Sequence, residues 1–371
     1  MNGKIRLSKS SISQAEKDAV LKVLDKEYLG MGEEVKLFEE KIKNYLETSM
    51  DVVCVSTGTS ALHLALSALG LKNGDEVLVP SLTYIASYQA ISATGAKPIS
   101  CEVNLNTLFL DVNDARAKIT KNTKVIMPVH YASSSIGMDE VYDLAQEFSL
   151  RVVEDAAQAF GSKRNGKFVG IEGDIICFSF DGIKNITSGE GGAILSNDKE
   201  FIQKVQDARL LGVEKDTQMR YTSQRSWDFD VKEQGFRYHM SNIMAAIGTV
   251  QIDRLGDFKI KRQNIAKTYF KALNDIEQIK LLDFDFDEVL PHIFVIKAQK
   301  RDELREFLLL NNIECGIHYK PNHLLSKYKT NEKLVITEKI YEEILTLPCH
   351  FDLTDDQLNR VIVKVREFYG K

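Results

Sequence analysis

Between residues 52 and 196 short apolar runs alternate with helical patterns, and this alternation restricts what the chain can fold into more than any other feature. The runs are Val52–Val55, Glu76–Pro80, Lys97–Cys101, Lys124–Val129, Arg151–Val153, Ile175–Phe180 and Ala193–Ser196. Between them, stretches such as Ser60–Leu69, Ile85–Ala93 and Asp139–Glu147 place apolar residues at i, i+3 and i+4. Strands joined through helices pair in parallel, whereas antiparallel neighbours need only a tight turn. The expected fold class is therefore α/β, with a large, mostly parallel sheet covered by helices on both faces. Right-handed crossovers bring the C-terminal ends of the strands to one edge, where ligands bind.

The pattern changes after about residue 255. Residues 257–275 read as one long helix, 289–298 as a strand, Arg301–Leu310 as a helix and Leu358–Tyr369 as a closing helix. A chain of 371 residues exceeds one simple core. The expectation is a large domain over 1–255, with an N-terminal helix, and a smaller α+β domain over 256–371. Val213–Tyr238 is polar, aromatic and aperiodic, and reads as a long loop or hairpin. Loops of that length are usually functional or interfacial.

Other classes are disfavoured. The net charge is −5 and no basic block is present, so nucleic acid is not an expected partner. No apolar stretch reaches the roughly 18–20 residues needed to span a membrane, and MNGKIRLSKSSIS lacks the apolar core of a signal peptide. Cys54, Cys101, Cys177, Cys315 and Cys349 are scattered, with no CxxC pair. They read as reduced thiols in a cytoplasmic protein, and no metal site is expected.

Four local features fall at the ligand edge. Ser56-Thr57-Gly58-Thr59-Ser60 joins a strand to a helix N-terminus. Free N–H groups and the positive end of the helix dipole there can hold an anion, with Gly58 allowing close approach and the Thr59 and Ser60 hydroxyls as donors. The same residues also suit a plain helix cap. Asp155 ends the run Val152–Val153–Glu154. An acid there suits a metal, a ribose, a heterocyclic nitrogen or a helix cap, and alternation turns Glu154 to the other face. Lys184 follows the strand and turn Phe178-Ser179-Phe180-Asp181-Gly182-Ile183. A lysine desolvated at a sheet edge has the lowered pKa that imine chemistry needs, although a lysine in a turn can equally lie in solvent. Ser188-Gly189-Glu190-Gly191-Gly192 has neither Walker nor dinucleotide spacing. Taken together, a phosphate cradle, an aspartate for a pyridine nitrogen and an imine-forming lysine are what pyridoxal 5′-phosphate requires. Tyr84 can cover the ring face, or pack in the core.

Seven stretches carry a resemblance: GTSALHLAL (58–66), GDEVLVPSLTYIAS (74–87), VVEDAAQAFGS (152–162), GDIICFSFDGIKNITSGEGGAILSND (173–198), MSNIMAAIGTVQ (240–251), HYKPNH (318–323) and LTLPCHFDLT (345–354). In this order the chain resembles the nucleotide-sugar aminotransferases of the DegT/StrS type, which have the aspartate-aminotransferase fold (type I). The resemblance implies that Lys184 is the Schiff-base lysine and that Asp155 meets the pyridinium nitrogen. It places Gln158 near the ring hydroxyl, Gly58, Thr59 and Ser179 at the phosphate, and Tyr84 on the ring. It implies a homodimer with shared sites, in which the segment around Arg237–Asn242, with the loop before it, reaches into the partner's site. It places His130, Tyr131, Glu190, His318, Tyr319 and His323 among the substrate contacts. Two stretches depart from the family. Arg237 and His239 stand where an Asn and an Arg are usual, and Ala132-Ser133 stand where Gly-Gln is common.

The activity so implied moves an amino group from L-glutamate to a dTDP-linked 4-keto-6-deoxyhexose, for a surface polysaccharide such as O-antigen. The wording Thr59-Ser60-Ala61 resembles the 4-amino branch more than the 3-amino branch. Related dehydratases, which use pyridoxamine phosphate to remove a sugar hydroxyl, carry histidine in place of this lysine.

Overall fold

The computed structural model describes residues 3–225 and 227–371. The early apolar runs become β1 (Asp51–Val55), β2 (Glu76–Pro80), β3 (Lys97–Cys101), β4 (Thr123–Ile126) and β5 (Arg151–Asp155). A separate small hairpin follows, β6 (Lys163–Arg164) and β7 (Lys167–Phe168), and then β8 (Ile175–Ser179) and β9 (Gly192–Ser196). All but the hairpin join one sheet, ordered β1-β9-β8-β5-β4-β2-β3. It is parallel except for β9, which runs antiparallel to both β1 and β8. The connection from Phe180 to Gly191 contains no helix, so β9 returns directly beside β8.

Period-two alternation sorts the strand residues onto two apolar faces. Val53, Val55, Val153, Ile175, Cys177 and Ile194 meet α3 (Gly58–Ala68), α4 (Ile85–Ala93) and α7 (Lys199–Ala208). Val52, Cys54, Ile176, Phe178 and Leu195 face the other way, toward α2 (Glu33–Leu46). Farther along that same side, Leu78, Ile126 and Val152 pack under α5 (Val112–Ala117) and α6 (Met138–Phe148). Full burial of each such side chain is worth about 1.5–3 kcal/mol.

The long helix differs from its expected span. α9 covers Asn242–Leu273, not 257–275, and starts where the Ser241 hydroxyl accepts the Met244 N–H at 3.3 Å. Its first half is wedged against both α1 (Gln14–Asp25) and α2. A Cβ on Gly248 would fall 2.4 Å from the Phe38 ring, so only glycine permits this approach. Packed on two sides, that half shows no single apolar stripe, which is why periodicity failed to find it.

A second sheet is antiparallel: β10 (Ile279–Leu281), β11 (Phe294–Ala298) and β12 (Ile344–Leu347), in that order. α10 (Arg301–Leu310), α11 (Val335–Glu343) and α12 (Asp355–Phe368) accompany it, over a core that includes Tyr269, Phe294, Leu304, Leu345 and Val361. The strand expected from 289 begins at Phe294, after Pro291, which has no N–H to give a ladder. The segment from Val213 to Tyr238 contains α8 (Asp216–Tyr221) and is closed by a bridge between Val213 and Val231. Among the described residues no helix is long and apolar enough to cross a membrane, and all five cysteines are buried and unpaired.

Candidate active site

The turn between β1 and α3 is built by its cap. Thr57 Oγ1 accepts the Ser60 N–H at 3.0 Å, and Ser60 Oγ takes the Thr57 N–H at 2.9 Å while donating to the Thr57 carbonyl at 2.8 Å. Ser60 therefore spends its hydroxyl on the cap. The N–H groups of Gly58 and Thr59 are left, as in any first helical turn, at the positive end of α3. Two other strands press against this turn. A Cβ on Gly58 would lie 2.7 Å from Ser179 Cβ, and one on Gly192 would lie 2.4 Å from the Thr57 carbonyl oxygen. Because β9 is antiparallel, its glycine-rich N-terminus arrives at the edge where its neighbours end.

Asp155 ends β5 on the α3/α4 face, as alternation predicts. Its Oδ2 accepts from Ser87 Oγ at 2.7 Å and its Oδ1 from the Ala157 N–H at 3.2 Å. Glu154 points the other way, to His130 Nε2 at 2.7 Å and the Tyr142 hydroxyl at 2.5 Å. Gln158 accepts the Ala132 N–H at 2.8 Å and donates to the Tyr319 hydroxyl at 3.1 Å. Tyr84, at the head of α4, is 56% exposed, with its ring 5.6 Å from that of Tyr319. An aromatic ring left open at a ligand edge is available to stack.

Lys184 lies half-buried beyond the Gly182 turn. Among the described residues its Nζ makes neither a hydrogen bond nor an ion pair. Burial lowers the pKa of the amine from its ordinary value, and the charges of Asp155 and Asp181 only partly oppose this. Two imidazoles lie within electrostatic reach. Burial, then the Lys184 charge, brings His318 down to about 4, and the same causes hold His292 well below its usual value. The Tyr319 phenol is pushed up by burial and then by Asp155.

The remaining candidates divide. His318, Tyr319, Gln158 and Tyr84 gather around Asp155 and Lys184. Glu190 is exposed on the glycine-rich turn, with its carboxyl pushed up by desolvation and by Asp181. Tyr131 is buried and donates its hydroxyl to the His318 carbonyl. His130 is fully buried with Glu154 on the reverse face. His323 is buried too, with its ring nitrogens engaged by Ser81 at 2.7 Å and Glu338 at 3.3 Å. Both ring nitrogens of His323 are thus engaged, whereas His130 Nδ1 is buried without a hydrogen bond among the described residues. Ser87, Thr83 and His292 were not singled out by the sequence, and no local pattern marks them.

Residues 237–239 run along the outer edge of β1, where His239 pairs with Val55 and the Ser56 N–H donates to the Tyr238 carbonyl at 2.7 Å. Arg237 is exposed and has no ion pair among the described residues. His239 is driven down to about 4 by burial, then by Arg237, Arg220 and Arg209. Asn242 is buried, with Nδ2 donating to the Tyr28 carbonyl at 2.9 Å.

A bare amine, a carboxylate and a glycine-lined helix N-terminus at one edge fit pyridoxal phosphate. Lys184 would take its aldehyde, Asp155 its ring nitrogen, and the turn with Ser179 its phosphate.

Comparison with known proteins agrees. Residues 10–366 match the DegT/DnrJ/EryC1/StrS aminotransferase family. GDP-perosamine synthase of Escherichia coli O157:H7 is 37% identical over 366 residues, 97% of each chain. DesV of S. venezuelae shares the fold at a TM-score of 0.91 and 30% identity, over 100% of both chains. Spr1654 of Streptococcus pneumoniae, solved in its PMP form, gives a TM-score of 0.90 at 28% identity, over 99% of this chain and 98% of that one, and it is also solved in a PLP form. An unpartnered lysine facing an aspartate, on a fold and sequence shared from end to end, makes this chain a member of the DegT/DnrJ/EryC1/StrS aminotransferase family and a pyridoxal-phosphate-dependent sugar aminotransferase.

Proposed function

We propose that the enzyme transfers the amino group of L-glutamate to the C4 keto group of a nucleotide-linked 4-keto-6-deoxyhexose. The observation that carries this reading is the Lys184 amine, desolvated and unpartnered beside Asp155. Pyridoxal phosphate, when bound, supplies the electron sink and stores the amino group between the two half-reactions. The chain does the rest. The Gly58 and Thr59 N–H groups with Ser179 would hold its phosphate, the Asp155 carboxylate would receive its ring N–H, and Tyr84 would cover one ring face. Lys184 Nζ takes the proton from the α-carbon of glutamate as a general base and later delivers one to C4 of the sugar. Two half-reactions at one site give ping-pong kinetics.

GDP is the first carrier to try, because a relative sharing 37% identity over 366 residues is named for a GDP-linked product. The dTDP-linked sugar expected from the sequence is the second. The product would be an activated 4-amino-4,6-dideoxyhexose for a surface polysaccharide such as O-antigen, made in the cytoplasm, where five unpaired thiols are at home. The enzyme would act as a homodimer, with Arg237 completing the partner's anion site.

The test supplies each nucleotide-linked 4-keto-6-deoxyhexose with glutamate and identifies the product by mass spectrometry and NMR. An amine at C4 on the GDP sugar is expected. An amine at C3, or no amino sugar from either carrier, overturns the proposal.

A further inference from the structure

One hydroxyl holds the Asp155 carboxylate, and a second stands behind the first. Ser87 Oγ donates to Asp155 Oδ2 at 2.7 Å and lies 2.9 Å from Thr83 Oγ1. Thr83, Ser87 and Asp155 are 2%, 0% and 5% exposed, so water does not share these bonds. That closure fixes the direction of the protons. A serine has one proton, and a carboxylate has none to give. The other acceptor open to Ser87 is the Tyr84 carbonyl, which is uncharged and farther away at 3.3 Å. Ser87 therefore donates to Asp155, and the Thr83 proton is the one that can fill the Ser87 oxygen. The order of donors is Thr83, Ser87, Asp155.

The start of this chain is itself fixed. Asn322 Nδ2 donates to the Thr83 carbonyl at 2.8 Å and to the Ser81 carbonyl at 3.1 Å. Three residues earlier, the Tyr319 hydroxyl receives Gln158 Nε2. One segment thus steadies both Asp155 and Gln158.

We infer that Thr83 and Ser87 form a two-hydroxyl relay that positions Asp155 for the cofactor's ring nitrogen, with Ser87 in contact and Thr83 acting only through Ser87. The inference rests on the assignment of Asp155 to that nitrogen. Without the Ser87 hydroxyl, Oδ2 has no partner in a place closed to water. The carboxylate then rotates to find one, and its aim at the ring is lost.

The experiment measures pyridoxamine phosphate binding to the apo chain by fluorescence, and the near-ultraviolet circular dichroism of the bound form. Ser87→Ala should weaken binding about tenfold, the scale of one charge-assisted hydrogen bond, and reduce the dichroic band. Ser87→Thr should restore both. Thr83→Val should weaken binding about threefold in the wild-type background, as a neutral hydrogen bond would, and not at all alongside Ser87→Ala. If Ser87→Ala does not fold, Ser87→Cys keeps the volume with a weaker donor and should show a smaller loss in the same direction. Wild-type binding by Ser87→Ala and Ser87→Cys, or an equal cost of Thr83→Val in both backgrounds, overturns the relay. Asp155→Asn separates the two levels: if it too binds normally, the Asp155 assignment has failed, and if only it is impaired, the relay alone has failed.

Discussion

Lys184 combines two demands that conflict in an ordinary lysine: it must be unprotonated to react and yet reside in a protein near neutral pH. Burial settles the conflict by penalising the ammonium more than Asp155 and Asp181 stabilise it. A lowered pKa means that the free amine appears at lower pH. Attachment of pyridoxal phosphate to the apo chain should therefore reach its full rate below the ordinary lysine value of 10.5. A rate profile centred on that ordinary value, followed by absorbance, would show that the amine is solvated. Lys184→Ala should abolish turnover and still bind pyridoxamine phosphate, since the cradle and Asp155 are untouched. Normal turnover in that variant would end the assignment. Lys184 lies beyond the end of β8, so its place followed from the family resemblance, and only the strand end at Asp155 was legible in the pattern itself. The direction of the Ser60 hydroxyl and the role of Ser87 were not, because each depends on which neighbour the fold brings within reach.

At the scale of elements, β1 is an edge strand whose outer side is closed by a buried polar cluster. Glu39 Oε1 takes the Cys54 N–H at 2.7 Å and pairs with Arg209 at 2.7 Å, while Arg209 also donates to the Cys54 carbonyl at 2.7 Å. The Tyr221 hydroxyl, from α8, bonds to both side chains. The cluster thus binds α2, β1 and the segment after α7 into one unit. Arg209 is 0% exposed and Glu39 7%, so removing one charge strands the other. Arg209→Met should cost about 3–5 kcal/mol in urea unfolding, with the m-value unchanged. A loss below about 1 kcal/mol, typical of a surface pair, would mean that the pair is effectively solvated. Sequence patterning showed Val213–Tyr238 only as an aperiodic loop. The two residues that anchor it, Glu39 and Arg209, lie 170 positions apart, and no local pattern reports such a distance.

For the whole molecule, the parallel sheet followed from alternating strands and helices. The order in which its strands pair did not, since that order is set by contacts far apart in sequence. Assembly is the question of this scale. Trp227 is 86% exposed and Phe229 55%, on the same segment as Arg237. Large apolar side chains left so open suit a second copy of the chain. Lys184→Ala and Arg237→Ala should each be inactive. Mixed under conditions of subunit exchange, they should regain activity, because a heterodimer holds one site with both residues intact. Two inactive parents with no recovery would place Lys184 and Arg237 in the same chain's site, and a fully active Arg237→Ala would remove Arg237 from the site.

The helix α9 has a further consequence, for which changes in chain length this architecture can absorb. Along its 32 residues it makes fixed contacts on different sides. Asn242 bonds to the Tyr28 carbonyl, Gly248 packs on Phe38, and Gln251 reaches Glu16. Arg262 donates to the carbonyls of Pro291, His292 and Cys349, and Tyr269 to that of Pro348. Inserting or deleting one residue in a helix of 3.6 residues per turn swings everything beyond it by about 100° and shifts it by about 1.5 Å. A single insertion between Gln251 and Arg262 would carry the second sheet, with His318 and Tyr319, out of register with Lys184. α9 thus works as a ruler whose length is inherited unchanged.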